Sequence, residues 1–185
     1  MNLRSKLTYI AIGIQLLILA GMLAKAMYPL LVGTPVRLRV EARDPRDVFR
    51  GHYAELYYPM NNIRTDTIEN HLPRDACYNF GDIVYVELVK KNDEYVAKAL
   101  WPKPPKNTLA IKGIVQYRFC NDGSMAHINL KYGIEQFFSD KHTAEQIENS
   151  IRGMGAESTE NFPIVYANVY VTSSGDARIA SIEYK

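Results

Sequence analysis

Val36-Arg37-Leu38-Arg39-Val40-Glu41-Ala42 decides the fold class. Its apolar members fall at every second position and its charged members fill the gaps. A period of two places Val36, Leu38, Val40 and Ala42 on one face and Arg37, Arg39 and Glu41 on the other. That is a half-buried β-strand, and the rest of the chain extends the pattern in both directions.

Upstream, Arg4 and Lys6 precede an apolar run from Leu7 to Ala24, interrupted only by Thr8 and Gln15. At about 1.5 Å per helical residue such a run spans roughly 27 Å, close to a bilayer core. It shows no polar stripe at 3.6-residue spacing, which argues against a buried core helix. Lys25 can extend its ammonium to the interface, Tyr28 suits the headgroup level, and Pro29 ends or kinks the helix. Ala24-Lys25-Ala26 also has the small-x-small form of a signal cleavage site, but the run is long for a signal peptide. The expectation is a transmembrane anchor over residues 1–33 and a β-rich domain over residues 34–185. Arg4 and Lys6 favour a cytoplasmic N-terminus. Arg37, Arg39, Arg43, Arg46 and Arg50 oppose it, yet folded domains translocate largely regardless of such charges. The domain is expected on the extracytoplasmic side of the membrane.

Downstream, Asp44-Pro45-Arg46-Asp47-Val48-Phe49-Arg50-Gly51-His52-Tyr53-Ala54-Glu55-Leu56-Tyr57-Tyr58 spends arginine and tyrosine at a density rare in surface loops. Asp44 suits an N-cap, Pro45 the first helical position and Asp47 the third, where a carboxylate meets the helix dipole favourably. Gly51 suits the left-handed residue that ends a helical turn. The period then becomes two. His52, Ala54, Leu56 and Tyr58 share one strand face; Tyr53, Glu55 and Tyr57 share the other.

Asn61-Asn62 and Pro73-Arg74-Asp75 read as turns. Ile83 to Val89 and Tyr95 to Leu100 read as a hairpin closed by Lys91-Asn92-Asp93-Glu94. Pro102, Pro104 and Pro105 form a stiff connector. Leu109 to Phe119 reads as one long strand, and Asn121-Asp122-Gly123-Ser124 turns it into Met125 to Leu130. Thr143 with Gln146 forms a capping box ahead of Ala144, Ile147 and Ile151, and Gly153 suits the C-terminal position, so one main helix is expected there. Ile164 to Thr172 and Ala177 to Tyr184 form a final hairpin around Ser173 to Asp176. The fold class is mainly β: an N-terminal transmembrane helix followed by an antiparallel β sandwich or barrel with one main helix.

Hydrophobic residues make up 47% of the 185 and charged residues 23%, a balance that fits an ordinary folded domain. A net charge of +2 gives no concentrated basic face, so nucleic acid is not an expected partner. Cys77 and Cys120 stand outside any Cys-x-x-Cys motif. They are either a disulfide of an exported domain or two free thiols. His52, His71, His127 and His142 lack metal-ligand spacing, and no cofactor or metal is expected.

Arg46 and Arg50, four apart, lie on one side of the short turn. They either pair with Asp44, Asp47 or Glu55 or face an anionic ligand or lipid headgroup. Arg46, Arg50, His52, Tyr53, Glu55, Tyr57 and Tyr58 are the candidate binding residues, since tyrosine and arginine are common interface anchors. Asp44, Asp47, Gly51 and Leu56 are the candidate structural residues. A catalytic reading would use His52 as base beside Asp47 or Glu55, but no nucleophile stands near, and no catalytic residue is assigned.

Gly51 to Tyr58 resembles the motif that names the GDYXXLXY family of bacterial membrane-anchored proteins. Asp44-Pro45-Arg46-Asp47, Phe49-Arg50, Gly81 to Val86, Lys112-Gly113, Tyr132 to Phe138 and Gly175-Asp176-Ala177 resemble the family's other recurring stretches. His52 stands where the family motif has aspartate, which weighs against a catalytic role at that position. The resemblance implies a membrane location and a multi-pass membrane protein as partner, and it carries no reaction. The function expected is non-enzymatic: an envelope protein that binds or supports another membrane component. The alternative is an envelope enzyme, or a module for an anionic ligand or lipid headgroup, using Asp44 to Tyr58.

Overall fold

The computed structural model describes residues 3–41, 53–121, 127–138 and 164–184. Helix α1 runs from Leu3 to Val32. Its stretch Tyr9–Val32 is 24 residues long with a mean hydropathy of 2.0, and its side chains are exposed except towards its C-terminal end, where Pro29 is buried. It is long and apolar enough to cross a membrane. Pro29 lies inside α1, and the Gly33 N–H donates to its carbonyl at 2.9 Å, closing the last turn. One residue, Gly33, separates α1 from the first strand.

Thirteen strands follow among the described residues: β1 (Thr34–Arg39), β2 (Tyr53–Glu55), β3 (Asn62–Arg64), β4 (Glu69–Asn70), β5 (Cys77–Tyr78), β6 (Ile83–Lys91), β7 (Glu94–Trp101), β8 (Ala110–Val115), β9 (Phe119–Cys120), β10 (His127–Lys131), β11 (Gln136–Phe138), β12 (Val165–Val171) and β13 (Ala177–Tyr184). They form a three-stranded sheet β1-β12-β13, a six-stranded sheet β3-β10-β8-β6-β7-β4 and two ribbons, β11-β2 and β5-β9. The sheets curl into a half-barrel. The mainly β class with an N-terminal apolar helix therefore holds.

Hydrogen bonds outside the ladders join these sheets. Glu41 pairs with Tyr57, so the end of β1 meets the continuation of β2. Across the molecule the β12–β13 turn reaches β8, where the Lys112 N–H donates to the Gly175 carbonyl at 2.9 Å. Gly175 has φ +86, and a Cβ there would stand 3.1 Å from the Tyr85 ring and 3.0 Å from the Lys112 nitrogen. Both the backbone angle and the close approach exclude a side chain. Val36, Leu38, Val40, Val84, Val86, Ile111, Val115, Ile128, Leu130, Val165 and Val169 fill the core from alternate strand positions.

Several expectations need correction. The strand expected over Leu109 to Phe119 is two, because β9 leaves β8's neighbours to pair with β5, with Cys77 opposite Cys120. Those cysteines form a disulfide, which resolves the open alternative. The strand pairs are mostly antiparallel, as expected, and β4 runs parallel to β7. Asn62 opens β3 rather than completing a turn, and the turn is a short 3-10 segment, Pro59–Asn61. The expected helix at Thr143 to Gly153 and the expected hairpin turn at Asp122 to Ser124 lie outside the described residues.

Candidate functional site

Beyond β2 the motif strand turns its even-numbered side chains inward. Leu56 is 1% exposed and Tyr58 is fully buried, while Glu55 is exposed and Tyr57 half-buried. Pro59 then fixes φ for the 3-10 turn, which delivers Asn61 into the interior beside Glu135.

Asn61 and Glu135 organise a buried polar network. The Asn61 side-chain amide donates to the Leu130 carbonyl at 2.9 Å and to Glu135 Oε1 at 3.1 Å. Its Oδ1 accepts from the Tyr58 N–H at 2.7 Å. Glu135 Oε1 also accepts from the Tyr132 N–H at 2.6 Å, and Oε2 from the Gly133 N–H at 2.9 Å. The Tyr58 hydroxyl donates to the Ile134 carbonyl at 2.9 Å, and the Tyr132 hydroxyl donates to the Met60 carbonyl. The Leu56 N–H donates to the Glu135 carbonyl at 2.7 Å. Two segments 69 to 76 positions apart are thus stitched together by side chains that bond backbone. Burial and the nearby Glu135 charge raise the Tyr58 and Tyr132 phenols above their ordinary value. Both therefore stay protonated at neutral pH and act as donors.

A cleft of about 400 Å³ opens beside this network. Leu38, Arg39 and Glu41 form one wall, Met60 and Asn62 to Arg64 the floor, and Glu94 to Ala97 the other wall. Arg39 is exposed. Arg64 grips Asp66 through two hydrogen bonds, at 2.6 and 3.1 Å. Glu94 Oε2 is buried and has no hydrogen-bond partner among the described residues.

A family model, described as GDYXXLXY protein, matches residues 15–182. The chain belongs to the GDYXXLXY family. No curated protein and no solved structure matches it. The family's name can now be read physically in this member. Its leucine and final tyrosine are Leu56 and Tyr58, two successive inward positions of the motif strand. Two other stretches quoted for the resemblance meet the same network. Tyr132 and Glu135 belong to it directly, and Gly113 lies against Tyr132, where a Cβ would stand 3.1 Å from the ring.

The candidate binding residues divide unevenly. Arg46, Arg50 and His52 lie outside the described residues, as do Asp44, Asp47 and Gly51. Tyr53 pairs with Phe138 and Glu55 with Gln136 along β2. Tyr58 is corrected: its ring is core and its hydroxyl is bonded to backbone, so it presents no surface to a partner. Asn61, Arg39 and Glu94 were not singled out from the sequence. Asn61 carried one available signal, a polar residue following the apolar Leu56 to Met60 run and read only as a turn.

A second polar cluster sits on the six-stranded sheet. Glu87, 5% exposed, accepts from Lys98 Nζ at 2.9 Å and from Trp101 Nε1 at 2.8 Å, and His71 stacks on Trp101 at 3.9 Å. Burial pushes the Glu87 carboxyl up. Hydrogen bonds from Lys98 and Trp101, with the Lys98 and His71 charges, outweigh it and hold the carboxyl below its ordinary value. Among the described residues no group of three or more His, Cys, Asp or Glu could hold a metal ion.

Proposed function

We propose that this chain is a non-enzymatic, single-pass protein of the bacterial inner membrane. Its N-terminus lies inside and its β domain outside the cytoplasm, where the domain binds another membrane component. The observation that carries the binding role is the use made of the family motif. Leu56, Tyr58, Asn61 and Glu135 spend their buried groups on backbone partners, which is the work of a scaffold. What the scaffold positions is the neighbouring cleft, with Arg39 exposed on one wall and Glu94 on the other. A segment bringing an acceptor to Arg39 would gain a charge-assisted hydrogen bond.

Two features support the location. Helix α1 is long and apolar enough to cross a membrane. The Cys77–Cys120 disulfide fits an oxidising compartment. The multi-pass membrane protein implied by the family resemblance is the partner proposed.

Gentle extraction of the full chain from its native membrane, followed by mass spectrometry of its companions, tests the reading. A companion that co-purifies with the native chain and is lost with Arg39→Glu or Glu94→Gln, at unchanged thermal stability, is the expected result. Retention of the same companion by both variants would count against the cleft as its binding site.

A further inference from the structure

Outside α1, the exposed large apolar residues among the described ones are Phe80, Ile83, Val89, Ile114 and Tyr117. Four of these five lie on adjoining segments of β6, β8 and the turns that flank them. Ile83 and Ile114 are cross-strand partners on β6 and β8. The Gly81 N–H donates to the Val115 carbonyl and the Val115 N–H to the Asp82 carbonyl, each at 2.9 Å, which holds the turn carrying Phe80 against the end of β8, two residues before Tyr117. Phe80 is 76% and Tyr117 71% exposed. A patch of two aromatic rings and two β-branched side chains in water needs an occupant.

Three facts identify it. First, the patch is near the end of α1. Thr34, the first residue of β1, pairs with Val171, and the turn that follows Val171 bonds Lys112 through Gly175. Ile114 lies two residues beyond Lys112 on the same face, about 7 Å away, so the path from the helix end is roughly 20 Å. Second, only Gly33 separates α1 from β1, so the domain has no linker with which to stand off from a bilayer that α1 crosses. Third, the rim is cationic. Lys131 pairs with Ile114 across β8–β10, and Arg118 follows Tyr117. Neither has a carboxylate partner among the described residues. Of the nearby acids, Asp176 lies 3.6 Å from Lys112, and Asp82, which accepts from the Asn79 N–H at 2.7 Å, offsets one of the cations.

Aromatic rings beside Lys and Arg are the composition of a surface seated in headgroups, with anionic lipid attracting the cations. We infer that the Phe80–Ile83–Ile114–Tyr117 patch docks into the anionic headgroup region of the membrane that α1 spans. The domain would thereby hold the bilayer at two points and present the cleft in a fixed orientation. This inference rests on the anchor reading above.

The full chain, reconstituted in phosphatidylethanolamine–phosphatidylglycerol vesicles, tests it. The native chain has one tryptophan, Trp101, whose emission can be subtracted. Tyr117→Trp adds an indole at the patch. Val89→Trp adds one six residues from Ile83 along β6, about 20 Å away. With lipids brominated near the headgroup, the Tyr117→Trp indole should lose roughly half its emission, as a ring sunk about 5–10 Å into that boundary would. The Val89→Trp indole should keep its emission. An intact chain whose Tyr117→Trp indole is spared equally overturns the inference alone, and cross-linking of two chains through the patch would assign it to self-association instead. A reconstituted chain whose mass shows cleavage after Ala26 would overturn the anchor reading and this inference together. Both replaced side chains are exposed, so the variants fold.

Discussion

Gly33 lies against Tyr170: a Cβ at position 33 would stand 3.0 Å from the Cβ of Tyr170 and would overlap the Pro29 carbonyl. Helix α1 is therefore joined to the β domain by contact as well as by the chain. Gly33→Ala forces the helix end away from β12. The expected result is about 1–3 kcal/mol of lost stability, the usual cost of overpacking, together with faster proteolysis between Val32 and Val36. Unchanged cleavage and unfolding would show that the junction is loose.

The disulfide gives the second prediction. Cys77 and Cys120 are 43 positions apart, and closing a loop of that length is worth about 4 kcal/mol in the chain-entropy model. Cys77→Ser with Cys120→Ser should lower the denaturation midpoint accordingly. Alkylation of the native chain, unreduced, should find neither thiol.

The third prediction concerns alkaline pH. The Tyr58 and Tyr132 phenols have folded values raised above about 10, the value they regain on unfolding. Their contribution is therefore complete below pH 10 and is lost as pH rises above it. Absorbance titration should show two tyrosines ionising only with unfolding, and Tyr58→Phe should remove one of them. Tyr58→Phe also strips the Ile134 carbonyl of its donor, a loss of about 1–3 kcal/mol.

Glu87 gives the opposite sign. Its folded value is lowered, so its contribution is present above the ordinary carboxylate value of 4.5 and is lost as pH falls through the folded one. Glu87→Gln should flatten the acid limb of the stability profile below that value. A profile unchanged by the substitution would remove Glu87 from the account.

Much of this architecture was legible because period two survives in the sequence. Val36 to Val40, the Ile83–Leu100 hairpin and the Val165–Tyr184 hairpin bury one face each, and burial imposes the alternation. The short pieces carried no such pattern. In β3, β4, β5 and β9, two or three residues are placed by partners far along the chain, and the parallel pairing of β4 with β7 leaves no local trace. At the candidate site the inward face of Leu56 and Tyr58 was readable, but the density of tyrosine suggested a surface where Tyr58 serves the core. Asn61 was read as a turn former because its Glu135 partner lies 74 positions away.

The central claim is that the buried network joining Tyr58 and Asn61, at the end of the family motif, to Glu135 holds the domain together. A double-mutant cycle on Asn61 and Glu135, read by equilibrium unfolding, tests it most directly. Asn61→Ala and Glu135→Ala should each cost about 2–3 kcal/mol, because each leaves buried backbone donors or acceptors unpaired. Together they should cost less than their sum by about 1 kcal/mol or more, the coupling expected of one network. Costs that add to within about 0.5 kcal/mol, or single variants as stable as the native chain, would contradict it.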